Sequence, residues 1–285
     1  MGKKSRRNRS EKPQRVRIKF VARPFADLPQ EAELVAMREI LPAAMLPAKT
    51  SSAYGEEEFF FVTQLPKLAA AMRRSDGKLL IALQTVMQSG NAALDLADRL
   101  RHGLALEAGA SYQQSQQPTP GIELSEMLDL EFPGQLEIVD DFHYCFTDAE
   151  LQKPEIEMAL QQSKESVVPM EEVPGVPRAY LAKMQKEFLR WVRPEEEEVV
   201  LAGLARLQQK RQLEFAGGRF LGAFRPLGLL IPVFEIAAGQ DIEETAKAVQ
   251  DFAPILSAAI ASDEPLSDAE KRAKAGIISR QVTLR

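Results

Sequence analysis

The run Asp140-Asp141-Phe142-His143-Tyr144-Cys145 holds the residue types closest to chemistry in this 285-residue chain. Written as a strand, it places Asp141, His143 and Cys145 on one face and Phe142, Tyr144 and Phe146 on the other, because successive side chains alternate. A carboxylate, an imidazole and a thiol on one face can ligate a transition metal, or pair a thiol nucleophile with a base. Against that, a zinc site normally takes four ligands, and the chain holds one cysteine and one further histidine, His102. Neither a CxxC pair nor an HExxH helix accompanies the run. A strand with an aromatic core face and a polar outer face is therefore the preferred reading, and a metal site or thiol enzyme around Asp141, His143 and Cys145 the alternative.

Other chemical signatures are missing. No GxxxxGK[ST] loop occurs and no GxGxxG follows a strand, which argues against the common nucleotide folds. No GxSxG elbow is present, and two histidines leave a Ser-His-Asp triad few ways to form. Phe59-Phe60-Phe61 could stack bases, yet three consecutive aromatics point to both faces of a strand, which fits burial. Glu195–Glu198 reads as an acidic first turn of a helix, favoured by the macrodipole, rather than as a cation site. His102, beside Arg99 and Arg101, suits a helix C-terminus. The residues nominate no catalytic set, metal or cofactor.

The second feature with chemical content is charge. Residues 1–23 contain ten basic residues and one acid, a net charge of +9. The whole chain carries −5, so the remainder carries −14. Lys3, Lys4, Arg6, Arg7, Arg9, Lys12, Arg15, Arg17 and Lys19 can neutralise phosphates and release counterions, which binds RNA or DNA without sequence specificity. Residues 2–14 lack periodicity and read as disordered. From Arg15 to Phe20 the pattern alternates, with Val16, Ile18 and Phe20 on one face of an extended segment that docks on the body. The same arm could instead meet an acidic protein or the chain's own acidic surface.

Positioning these features requires a mixed set of elements. The pattern predicts helices over 30–40, 92–107, 177–192, from Pro194 onward, and over 241–261 with a bend near Pro254. Strands are expected at Phe59–Thr63, Lys78–Val86, Leu136–Val139 and Phe142–Phe146, with a Gly- and Pro-punctuated strand region at Phe220–Ile236. Pro42 and Pro47 break the pattern after the first helix. Thr147-Asp-Ala-Glu150 matches a capping box. Segments 111–121 and 167–177 read as loops, Ser267 starts a short charged helix, and the chain ends in an extended style. The order of elements reads as α+β in two lobes, divided as a basic arm at 1–23, an N-terminal lobe at 24–146 and a helix-rich lobe at 147–285. A single cysteine fits a reducing cytoplasm. No run of about 18 apolar residues suggests a membrane span, and no apolar stretch follows the basic start as a secretory signal requires.

Several segments carry a family resemblance: the KKSRR start, VARPF (Val21–Phe25), the segments around Ile81–Gly90 and Phe188–Val192, RFLGAFRPLGLLIPVFEI (Arg219–Ile236) and AKAGIISRQVTLR (Ala273–Arg285). Together they resemble an uncharacterised actinobacterial family, a domain of unknown function. Members have carried the labels preprotein translocase SecA subunit and topoisomerase II. A translocase motor needs Walker motifs and a longer chain, and a type II topoisomerase an ATP-binding lobe and a cleavage core beyond 285 residues. The resemblance implies no functional residues. The expected function is that of a cytoplasmic, non-enzymatic protein tethered by its arm to RNA, the ribosome or nucleoid DNA; a protein-interaction scaffold without nucleic acid is the alternative.

Overall fold

A computed structural model describes residues 17–281, apart from 216, 238 and 240. The fold is α+β, with two sheets. Helix α1 (Glu31–Glu39) buries Leu34, Val35, Ala36 and Met37. Strand β1 (Ala44–Lys49) pairs antiparallel with β2 (Glu58–Val62). Pro47 lies inside β1 instead of ending the pattern. It can, because the neighbouring strand on the other side reaches only Ala44 and Met45, so no ladder hydrogen bond there needs an N–H at Pro47. Strands β3 (Ala71–Arg73) and β4 (Leu79–Ala82) follow, then α2 (Ala92–Leu104), β5 (Ser111–Tyr112), α3 (Leu124–Met127) and β6 (Glu137–Ile138). The first sheet runs β5-β3-β4-β2-β1-β6, antiparallel except for the parallel β2–β4 pair.

The aromatic run is core. Phe59 and Phe61 point to the side covered by α1 and α2, while Phe60 and Val62 join a second cluster on the opposite face with Tyr144 and Cys145. A strand covered on both faces reads as an unbroken apolar run. Phe59 and Phe61 are buried and cannot stack on a base, and Lys78 lies over the ring of the half-buried Phe60, 5.1 Å from its centroid.

After α4 (Asp148–Leu151) and α5 (Pro154–Ser166), the chain builds the second sheet from β7 (Met170–Glu172), β8 (Ala179–Lys183) and β9 (Glu187–Trp191), then, beyond α6 (Glu197–Gln209), β10 (Arg219–Phe224) and β11 (Ile231–Ile236). Its order is β10-β11-β9-β8-β7, all antiparallel. Helices α7 (Ile242–Ile260) and α8 (Asp268–Gln281) complete the described chain. Thr147 caps α4 in the expected box: its Oγ1 accepts from Glu150 N, and Glu150 Oε2 accepts from Thr147 N at 2.9 Å. Asp241 caps α7, which carries Pro254 inside it.

Further expectations change. Residues 177–192 form a hairpin of β8 and β9, not a helix. Leu189 and Trp191 face the core, Met184 is exposed at the turn, and Phe188 lies on the opposite face from Trp191. The loop-like segments 111–121 and 167–177 contribute the short strands β5 and β7. Ser279–Gln281 belong to α8 rather than to an extended tail, and residues 282–285 lie outside the described chain. Residues 143–145 form a 3₁₀ turn, taken up below.

The two sheets share core. Tyr180, Val192, Leu229 and Ile231, from the second sheet and its connections, pack in the same cluster as α1, α2 and the first sheet. The other face of the second sheet packs on α6, α7 and α8. Among the described residues no helix is long and apolar enough to cross a membrane.

Candidate functional site

The Asp141–Cys145 run is a turn because its own groups close it. Cys145 N donates to Phe142 O at 3.0 Å, and Asp141 Oδ1 accepts from the backbone N of His143 at 2.9 Å. Tyr144 is pulled inward: its hydroxyl donates to Gln64 O at 2.8 Å and lies 3.2 Å from Thr63 Oγ1. Arg74 fixes the turn from below, donating to Tyr144 O at 3.0 Å while bonded to Asp76. A 3₁₀ turn advances about 120° per residue, so positions two apart do not share a face.

The expected trio is therefore split. Asp141 Oδ1 and His143 Nδ1 meet at 2.8 Å on the surface, whereas Cys145 is buried with Val62, Leu65 and Tyr144. The neighbouring Asp140 is taken by Lys164 of α5 at 3.0 Å. Among the described residues no group of three or more His, Cys, Asp or Glu side chains is placed to hold a metal ion. Burial pushes the Cys145 thiol up to about 12, against the opposing charge of Arg74. A raised pKa favours the thiol in the folded state. Its contribution to stability is complete below the ordinary value of 9.0 and is lost as pH climbs towards about 12. Cys145 also lines an apolar cleft of about 370 Å³ between Leu65–Leu68, Phe142, Phe146 and Leu160 of α5. At about pH 8 the native thiol is expected to react with a soluble disulfide reagent at least about tenfold more slowly than in the unfolded chain. Equal rates would mean that the sulfur is open to the cleft.

Of the arm, Lys3, Lys4, Arg6, Arg7, Arg9, Lys12 and Arg15 lie outside the described residues, as does Val16. Arg17 and Lys19 are exposed, and neither forms an ion pair among the described residues. The expected docking face is only partly realised. Ile18 is half-buried, but Phe20 is 73% exposed beside Gly90. Anchoring starts one residue later, where Val21 N donates to Gly90 O at 3.1 Å. Arg23 then grips the body: Nε and Nη2 bind the two oxygens of Glu31 at 2.8 Å each, Nη2 also reaches Pro194 O at 3.0 Å, and Nη1 pairs with Glu196. Paired, planar contacts of this kind fix orientation as well as position.

The acidic run at the start of α6 is spoken for. Glu195 pairs with Arg193, Glu196 with Arg23, Glu197 with Arg225 and Glu198 with Lys274. His102 sits in the last turn of α2, stacked on Tyr112 with centroids 4.2 Å apart.

A profile described as a family of unknown function, DUF5926, matches residues 24–285. The chain belongs to that family. Neither a curated protein nor a solved structure matches it. The DUF5926 match covers both sheets and the Asp141–Cys145 turn, but begins one residue after Arg23, so every cation of the arm precedes it. It also includes a cavity that sequence reasoning missed, lined by Glu33, Arg178 and Tyr180. Glu33 and Arg178 stand 145 positions apart, and no local pattern joins them. The helical reading of 177–192 hid Tyr180 further.

Proposed function

We propose that this protein is a cytoplasmic, non-enzymatic binding protein whose basic arm holds a nucleic-acid backbone, either RNA, free or in the ribosome, or nucleoid DNA. The observation that carries the reading is a change in how cations are used along the chain. Arg23 is clamped by Glu31 and Glu196, whereas Arg17 and Lys19, just before the anchor at Val21, are exposed and unpaired among the described residues. The acidic body thus spends its nearby carboxylates on anchoring the root of the arm. The cations ahead of that root are Lys3, Lys4, Arg6, Arg7, Arg9, Lys12, Arg15, Arg17 and Lys19.

Counterion release sets the expected signature. Nine contacts at about 0.7 each on a single strand give a log–log salt slope of about −6, a loss of about 10³-fold or more between 50 and 200 mM salt. Sedimentation with ribosomes is expected to carry down the full chain at low salt and release it at high salt, while a variant lacking residues 1–20 stays in the supernatant throughout. Identical behaviour of the two proteins, with no salt effect, would overturn the reading. Capture that survives nuclease treatment would assign the arm to an acidic protein partner instead.

A further inference from the structure

The first sheet and α1 cover only part of the second sheet's outer face. Side chains alternate along β9, so while Leu189 and Trp191 join the core under α6 and α7, Phe188 and Arg190 turn to the other side. There Arg190 stands between Tyr180 of β8 and Val233 of β11. A β-bulge in β10 sets Leu221 and Gly222 together opposite Val233. A bulge re-aims a side chain, and the glycine beside it adds none to fill the space. The result is a groove of about 320 Å³, lined by Met184, Phe188, Leu221, Phe224 and Val233 with Arg190 in its wall. Phe188, Leu221 and Val233 belong to none of the three apolar clusters that hold the fold, and Met184 is 54% exposed.

Arg190 is the cation of this sheet without a partner. Lys183 at the end of β8 is taken by Glu171, and Lys186 of the β8–β9 turn and Arg219 of β10 share Glu235. Among the described residues Arg190 forms no hydrogen bond and no ion pair, and none of its nitrogens is sealed from solvent. Glu39, the one acid lining the groove, is exposed and paired with Arg38 at 3.3 Å. The Arg190 guanidinium is nonetheless half-buried, and burial lowers its pKa with no carboxylate opposing the shift. It stays charged, as arginine does throughout the accessible pH range. A charge that has lost water without gaining a partner is destabilising, and an anion in the groove removes that cost. The guanidinium fork matches the two oxygens of a carboxylate. No second basic residue lines the groove, so its charge balances a monoanion and not a phosphate dianion.

We propose that this groove binds a small amphipathic carboxylate, with the carboxylate on Arg190 and the hydrocarbon body against Phe188, Leu221 and Val233. The test is calorimetric titration of the full chain with octanoate, using octanol, octylamine and acetate as controls. Octanoate is expected to bind saturably at one site with a Kd of about 1 mM or tighter, and each control at least about tenfold more weakly. Arg190→Gln should weaken octanoate binding at least about tenfold, the scale of a lost charge-assisted hydrogen bond. It removes a group with no partner in the fold, so the thermal midpoint of the free protein should not fall. Leu221→Glu, at a side chain outside the three clusters, supplies the groove with a carboxylate of its own and should likewise weaken octanoate at least about tenfold. No uptake of octanoate at millimolar concentration, equal affinity for octanol or octylamine, or octanoate binding that either substitution leaves unchanged overturns the proposal.

Discussion

Replacing Arg99 with methionine is expected to cost about 3–5 kcal/mol of stability, the largest effect of any single substitution considered. Arg99 is 0% exposed, yet all five of its contacts are to neutral groups. Nη1 donates to Ala82 O at 2.9 Å and Leu83 O at 3.1 Å, Nη2 to Thr85 Oγ1 at 2.7 Å and Met87 O at 3.0 Å, and Nε to Gln114 Oε1 at 3.0 Å. The side chain thus shapes the connection from β4 to α2 and ties it to the segment after β5. Desolvation lowers its pKa to about 10, partly countered by Asp95 and Asp98. For a base, that direction means the buried charge costs stability at neutral pH, a cost relieved only above about 10. The five hydrogen bonds must outweigh it. Methionine fills the stem but strands five acceptors, of which Ala82 O and Leu83 O are buried. Lysine keeps the charge with three donors in the wrong geometry, and is expected to recover only part of the loss. Urea denaturation followed by circular dichroism measures this; a methionine variant within about 1 kcal/mol of the parent would refute the account.

The second large effect is expected at Gly203, where α6 crosses the end of α7. A Cβ there would lie 2.6 Å from Ile260 Cγ1 and 2.9 Å from both Cα and N of the same residue. The obstruction is backbone, which cannot rotate away, so a larger side chain must push the helices apart. Gly203→Val is expected to cost about 3 kcal/mol. Gly203→Ala should cost less, because alanine recovers about 1 kcal/mol of helix propensity. A stabilised alanine variant would show that the helices do not approach this closely. The two sites also test how the chain divides. Trp191, the single tryptophan, sits in the second sheet, while Arg99 lies under the first. Because Tyr180, Val192 and Ile231 share a core with α1 and α2, tryptophan fluorescence and circular dichroism are expected to follow one transition in the Arg99→Met variant. Separate transitions would support 24–146 and 147–285 as independent folding units.

Legibility followed the range of the signal. The capping box at Thr147, the start of the 241–261 helix, the buried FFFV strand and the strand character of Phe220–Ile236 were readable because each depends on residues within a few positions of one another. The 177–192 segment was not. Leu181, Met184, Phe188 and Trp191 recur at helical spacing, but Leu189 and Trp191 also alternate with Phe188 and Arg190, and both periods fit so short a run. Partners decided between them: β7 and β11 lie in wait on either side of β8 and β9, and their unpaired backbone groups are satisfied only by strands. The same holds for the Asp141–Cys145 run. Its alternation was real as a sequence pattern, but Tyr144 finds its hydroxyl partners at Thr63 and Gln64, some 80 residues earlier, and that reach bends the run into a turn.

The sequence by itself determined what short-range chemistry controls: an α+β body, a charge-polarised arm, helix starts and an acidic run at the head of α6. Only the tertiary structure decided which charges are spent and which are left. It sets Glu196 against Arg23 and parts Cys145 from His143. It also brings Glu33 of α1 to Arg178 and Tyr180 around one cavity, because hydrogen-bond satisfaction and burial act on neighbours in space, however far apart they stand in the chain.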